Sequence, residues 1–177
     1  MKENLKEIIA YLEEVRSEIK KYISDNGKFI KGKVNGGNTW SPDEVLDHLY
    51  KTEIFITGLL SRQLDRAEKK GLKAMENSTS YLHSLDKFEI ETVKEKYNAP
   101  EQSKPDGSID PENLLQKMDE SRSELLQLLQ NFSEYDMAGI EFPHPAYGRM
   151  NMIQWVVFIG KHEHRHLNQI KSILKLS

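Results

Sequence analysis

Apolar residues recur at steps of three and four in four separate stretches of this chain, and that periodicity commits it to helices that share a core. Leu5, Ile8, Ile9, Leu12, Val15, Ile19 and Ile23 fall on one side of a helix with 3.6 residues per turn. The glycine- and asparagine-rich run "DNGKFIKGKVNGGNTW" then interrupts the pattern. A second helix announces its start in "WSPDEVLDHL". Ser41 is a good N-cap, Pro42 suits the first helical position, and Glu44 stands where a capping box needs it. Trp40 and Val45 are spaced to pack across that cap as a hydrophobic staple. Val45, His48, Leu49, Thr52, Ile56 and Leu59 then share a face, and the pattern fades by about Lys70.

The third helix opens at Asp110-Pro111-Glu112, a cap followed by proline, and its stripe is Leu114, Leu115, Met118, Leu125, Leu128, Leu129 and Phe132. "EFPHPAYGRMN" reads as a loop, and a fourth helix runs from about Asn151 to the end. Between the second and third helices, residues from about Gly71 to Asp110 form a long connection with turn-rich "SKPDGSIDP" and room for a short helix or two. Such a segment suits a bundle with one extended crossover, and segments of this kind often cover a site. With little strand signal and no repeat, the chain reads as all-α, a four-helix bundle with a long crossover between helices 2 and 3. Residues 1–177 are expected to form one domain.

Composition narrows the function. The formal charge of −3, with lysine and arginine scattered along the chain, gives no electrostatic reason to expect nucleic acid or an anionic membrane surface. Nothing approaches the roughly 18 consecutive apolar residues that span a bilayer, and the charged N-terminus lacks the apolar stretch of a signal peptide. A cytoplasmic protein is the expectation. Cysteine is absent, so thiolate zinc ligands and a cysteine nucleophile are excluded. Any metal must be held by nitrogen or oxygen, and any thiol chemistry must use a sulfur brought in from outside.

The segment "KHEHRHLNQI" therefore draws attention, with three histidines in five positions. At about 100° per residue, Met152, Trp155, Ile159, His162, His166, Ile170 and Ile173 form one stripe. His162 and His166 continue the buried face, whereas His164 points roughly 160–200° away. An i, i+4 histidine pair aims both imidazoles at a common point, as a metal site requires. His48 lies on the core-facing stripe of its own helix and is the candidate third ligand. A buried, unpaired imidazole is costly to desolvate, and shared coordination relieves that cost. The bland alternative is that each is a core histidine satisfied by a neighbouring hydroxyl or carboxylate.

His162-Glu163-x-x-His166 also matches the HExxH pattern of zinc proteases, but only "LNQIKSILKLS" follows, with no His, Asp or Glu for the usual downstream ligand. Glu163 is then expected to be an ordinary helix-surface residue. A di-iron site would need Glu-x-x-His on two helices with two further glutamates, a pattern not evident here.

"WSPDEVLDHL", "KPDGSID" followed by "LLQKMDESRSELL", and "FPHPAYGRMNMIQWVVFIGKHEHRHLNQI" together resemble the DinB-like superfamily, in the same order and over most of the chain. Its members include metal-dependent thiol transferases such as bacillithiol transferase and the N-terminal domain of mycothiol-dependent maleylpyruvate isomerase. The resemblance implies an up-down-down-up bundle, a metal triad at His48, His162 and His166, zinc or nickel as the ion, and often a homodimer. It implies a transferase that uses a low-molecular-weight thiol on a small-molecule substrate. Two alternatives stay open: a hydrolase using hydroxide held at the same triad, and a non-catalytic bundle that binds a metal or ligand.

Among lesser candidates, the family's loop motif falls on His144, Pro145 and Gly148, with Tyr147 between them. His144 is expected to fix the loop rather than to approach the site. Arg165 matches an Arg-His pair common in the family and is expected in a helix–helix salt bridge. Trp155 and Phe158 are expected in the core and groove wall. Tyr50, Glu53 and Tyr147 are candidates for outer-sphere or proton-transfer roles, and His83 is expected to be exposed.

Overall fold

A computed structural model of the protein describes residues 3–26, 40–73, 79–92 and 98–176. Four helices carry it: α1 (Glu3–Asn26), α2 (Pro42–Lys70), α3 (Pro111–Gln130) and α4 (Met152–Leu176). Most of the glycine-rich break between α1 and α2, residues 27–39, lies outside the described residues.

The caps form as the sequence dictates. The Glu44 amide donates to the Ser41 hydroxyl at 3.4 Å, and the Ser41 amide donates back to the Glu44 carboxylate at 2.8 Å. Gly71 ends α2 in the left-handed region at φ 64°. Asp110 caps α3 by accepting from the Glu112 amide at 3.2 Å. Asn151 and Gln154 cap α4 reciprocally, each side-chain oxygen accepting from the other's amide at 2.9 and 3.0 Å.

The two apolar clusters fix the helix directions. One joins Leu5, Ile8 and Leu12 of α1 to Ile56 and Leu60 of α2, Leu125 and Leu129 of α3, and Trp155 and Ile159 of α4. The other joins Val15, Ile19 and Ile23 to Val45, Leu46 and Leu49, Leu114 and Met118, and Leu167 and Ile170. The start of α1 thus meets the start of α4 and the ends of α2 and α3. That is the up-down-down-up order. Gly160 lets α4 sit close against α1, because a Cβ there would come within 2.5 Å of the Tyr11 ring.

Between the two clusters lies a layer of charge that the stripes did not foretell. Arg16, Glu53, Arg122 and Glu163, one from each helix, are all at most 4% exposed. Arg16 contacts Glu53 at 2.9 Å and also Glu163, while Arg122 contacts Glu53 at 2.7 Å and Glu163 at 3.0 Å. Ser121 donates to Glu53 as well, and the guanidiniums reach the carbonyls of Met118 and Leu12. The ring is closed and neutral, as buried charge must be. Glu163 is therefore not the surface residue expected from its wheel angle. α4 packs against both α1 and α2, so its buried arc is wider than a single stripe and takes in Glu163. Glu53, a candidate for an outer-sphere role, is instead a member of this ring.

A second departure is a small antiparallel hairpin, β1 (Glu141–His144) and β2 (Gly148–Asn151), where a loop was expected. Each strand has four residues, β1 contains Pro143, and Pro145 sits in the turn, so its sequence carries no strand pattern. Gly148 supplies the left-handed turn at φ 76°. Phe142 lies flat on Trp155, with ring centroids 4.8 Å apart, and so pins the hairpin to α4. The crossover contributes turns and two 3₁₀ segments, Asp86–Phe88 and Glu101–Ser103, with residues 93–97 outside the described part. Among the described residues no helix is long and apolar enough to cross a membrane.

Candidate metal centre

His48 enters the site from the first turns of α2, and the crossover holds it there. Its Nδ1 lies 2.7 Å from the Ser103 carbonyl. Since a carbonyl only accepts, Nδ1 carries the proton and Nε2 presents its lone pair. The "KPDGSID" segment is fastened to the same helix: Lys51 donates to the Lys104 carbonyl at 3.1 Å and pairs with Asp106 at 2.6 Å. The Asp106 amide donates to Asp47 at 3.1 Å. The Lys51 ammonium, with further bonds from Ser108, holds the Asp106 carboxyl well below its usual range.

From α4, one helical turn separates His162 and His166. The His166 Nδ1 donates to the Gln169 side-chain oxygen at 2.7 Å, which again turns Nε2 inward. The three Nε2 atoms meet: His48 to His162 at 3.3 Å and His166 to His162 at 3.1 Å. One ring nitrogen from each lies within 4.8 Å of the other two. Zinc–nitrogen bonds of about 2.0–2.1 Å at a tetrahedral angle put neighbouring nitrogens about 3.3 Å apart. Two sides of the triangle already have that length, so the residues fit a divalent ion. The grouping of His48, His162 and His166 is the one the helix wheels anticipated.

Electrostatics keep these ligands in the form a metal needs. Burial holds His48 below its ordinary value, against the opposing pull of the Ser103 carbonyl and Asp47. His162 is lowered well below its ordinary value by burial and by its two histidine neighbours, and burial pushes His166 down to about 3. Neutral imidazoles with converging lone pairs are ready to coordinate. Rings form the surrounding wall: Trp40 packs 4.9 Å from His48, and Phe158 stacks on His162 at 5.3 Å. Trp40 also packs with the cluster that holds Val45, as the staple requires.

The other sequence candidates take separate places. His164 faces away from the triad, with Nδ1 3.5 Å from Glu91 of the crossover. His83 is exposed and pairs with Asp86 at 2.9 Å. Tyr50 packs against the apolar cluster at this end of the bundle. Arg165 hydrogen-bonds Tyr147 on the hairpin turn.

His144 fixes that turn. Its Nδ1 accepts from the amides of Ala146 at 3.0 Å and Tyr147 at 3.3 Å, and its ring packs on Tyr147, Trp155 and Phe158. Burial holds it down to about 4. Its value in the unfolded chain is about 6.5, so between these values the unfolded chain binds a proton that the folded hairpin refuses. The contribution to stability is therefore full above about pH 6.5 and declines as the pH falls toward 4. Amide exchange by NMR should show the protection factors of Ala146 and Tyr147 falling over that window. In His144→Phe the protection should be lost at every pH. Protection independent of pH in the native protein would refute the role.

Four helices that gather three neutral imidazoles at metal-ligand spacing define a helical bundle able to hold a metal ion. Residues 31–170 match the family model of the DinB superfamily, and the chain belongs to that superfamily. It is similar to YuaE, an uncharacterized protein of Bacillus subtilis (strain 168), with 28% identity over 138 residues, 76% of either chain. No solved structure matches it.

Proposed function

We propose that the protein binds one divalent metal ion, zinc or nickel, through His48, His162 and His166, and transfers a low-molecular-weight thiol to a small-molecule substrate. The observation that carries this is the convergence of three Nε2 atoms at 3.1 and 3.3 Å in a chain that has no cysteine. Imidazole donors suit zinc and nickel. A divalent ion held there would supply Lewis acidity, lowering the pKa of a bound thiol so that it gives its proton to solvent at neutral pH.

The protein's own groups do the rest. Ser103 and Gln169 fix the two imidazoles whose Nδ1 they hold, so that Nε2 faces the ion. Three neutral ligands leave the ion's charge uncompensated, which favours an anionic sulfur as the next ligand. Phe158 and Trp40 wall the centre with apolar surface and limit access of water.

Protein purified without chelator is expected to carry one zinc or nickel ion per chain by elemental analysis. It should conjugate a small thiol to an electrophilic substrate faster than it hydrolyses an ester or amide offered alongside. A metal-free preparation that also fails to take up zinc or nickel on addition overturns the metal centre. Hydrolysis without thiol conjugation overturns the transferase and leaves the hydrolase.

A further inference from the structure

His166 and His48 have their Nδ1 atoms held by partners of different kinds. Gln169, which holds His166, stands three residues further along the same helix, so α4 alone keeps it in place. The Ser103 carbonyl, which holds His48 at 2.7 Å, comes from the crossover, 55 residues away in the chain. A backbone carbonyl is aimed only by what fastens its segment, here by what fastens the crossover to α2.

Lys51, Asp47 and Asp106 make that fastening. The Lys51 ammonium donates to the Lys104 carbonyl, next to Ser103, at 3.1 Å. It also reaches Asp47 at 3.2 Å and Asp106 at 2.6 Å. Asp47 accepts in turn from the Asp106 amide at 3.1 Å. Asp47 precedes His48 by one residue and Lys51 follows it by three, so ligand and clasp lie within about one turn of α2. Burial decides which member matters. Asp47 is 4% exposed, and a buried carboxylate has to be paired. The Asp106 side chain is 62% exposed, and a pair with so exposed a partner contributes little by itself. Lys51, bonded to all three acceptors, is the centre of the clasp. Ile109 of the same segment packs into the apolar cluster below, which docks the crossover without fixing its register against His48.

On the metal centre proposed above, we infer that Lys51, together with Asp47 and Asp106, is a positioning residue for the ion. The clasp keeps the Ser103 carbonyl against the His48 Nδ1, holds His48 in the tautomer whose Nε2 faces the triad, and so sets the affinity for the ion. The linkage is reciprocal: an ion on Nε2 keeps the proton on Nδ1 and thereby favours the fastened crossover.

Lys51→Met tests this, because methionine keeps much of the stem and drops the ammonium, and Lys51→Arg is its conservative counterpart. Nitrogen NMR of the imidazole rings, in metal-free protein at mildly alkaline pH, reads the tautomer. The native protein and Lys51→Arg should show His48 protonated at Nδ1 alone, and Lys51→Met should show a mixture of both neutral forms. Zinc affinity, measured by competition with a chromophoric chelator, should fall by roughly tenfold or more in Lys51→Met, as loss of an outer-sphere partner does. It should change little in Lys51→Arg. If the stranded Asp47 carboxylate prevents folding, Asp47→Leu combined with Lys51→Met removes the buried charge along with the clasp and carries the same expectations. A purely structural clasp would lower the urea midpoint and leave the tautomer alone. A native tautomer or native zinc affinity in the clasp-free variant, or equal losses in Lys51→Arg and Lys51→Met, overturns the inference. Failure of the metal centre is a separate result, seen as absence of zinc binding by the native protein before any variant is compared.

Discussion

Replacing Glu53 with alanine is expected to remove about 3–5 kcal/mol of stability, a large part of what holds a domain of this size together. Glu53 is 1% exposed and accepts from Arg16, Arg122 and Ser121. Burial alone would raise its pKa, but the two guanidiniums and the hydroxyl outweigh that and hold it below its ordinary value. Truncation leaves two guanidiniums sharing Glu163 as their one remaining buried carboxylate, with Arg122 reaching the half-exposed Glu13 at 3.2 Å, so the buried layer loses its charge balance. Conversion of the whole ring to apolar residues, with Arg16→Met, Glu53→Leu, Arg122→Met and Glu163→Leu, should recover most of the loss, since buried ion pairs contribute little against well-packed hydrophobes. Urea unfolding at neutral pH measures both. A Glu53→Ala midpoint near the native one would disprove the role assigned to the ring. Because its folded pKa is depressed, Glu53 stabilises the protein above the ordinary carboxylate range, and this is lost as the pH falls through the lowered value.

That ring also marks where the sequence stops being readable. Ser41, Pro42, Glu44, Asp110 and Pro111 give helix starts because a cap is a local event, settled by a few neighbouring residues. The triad was legible for a related reason. His48, His162 and His166 each interrupt an apolar stripe with a group that needs a partner, and the i, i+4 spacing points two of them at one place. Arg16, Glu53, Arg122 and Glu163 are ordinary helix-surface residue types, and nothing local distinguishes them from their solvated neighbours. Their burial follows only once four helices meet at one level, a non-local fact. The hairpin was hidden differently. Its strands are too short and proline-marked to show alternation, and it is held by Phe142 on Trp155 rather than by its own pattern.

His162→Ala is expected to have the largest effect on metal binding, weakening it by more than about 100-fold. Loss of an outer-sphere partner of a metal ligand already costs about 10–100-fold, and His162 is a direct donor in the proposed centre. It is also the vertex of the triad, because both of the close nitrogen–nitrogen distances, 3.3 and 3.1 Å, run to its Nε2. Without it, His48 and His166 still face each other, with ring centroids 4.9 Å apart, but they supply two donors and cannot close a three-ligand site. The metal-free protein should respond in the opposite sense. Burial and two like neighbours disfavour the His162 imidazolium, so the triad resists protonation in the folded state, and alanine removes one such group. Measured in chelator at mildly acidic pH, the variant is expected to melt no lower than the native protein. With zinc added, only the native protein should gain in melting temperature, by an amount that rises with the logarithm of free zinc. Equal zinc affinity in the two proteins would remove His162 from the centre. A chelated native protein that is unfolded at neutral pH would make the ion a structural one, needed for the bundle rather than for chemistry at its open position.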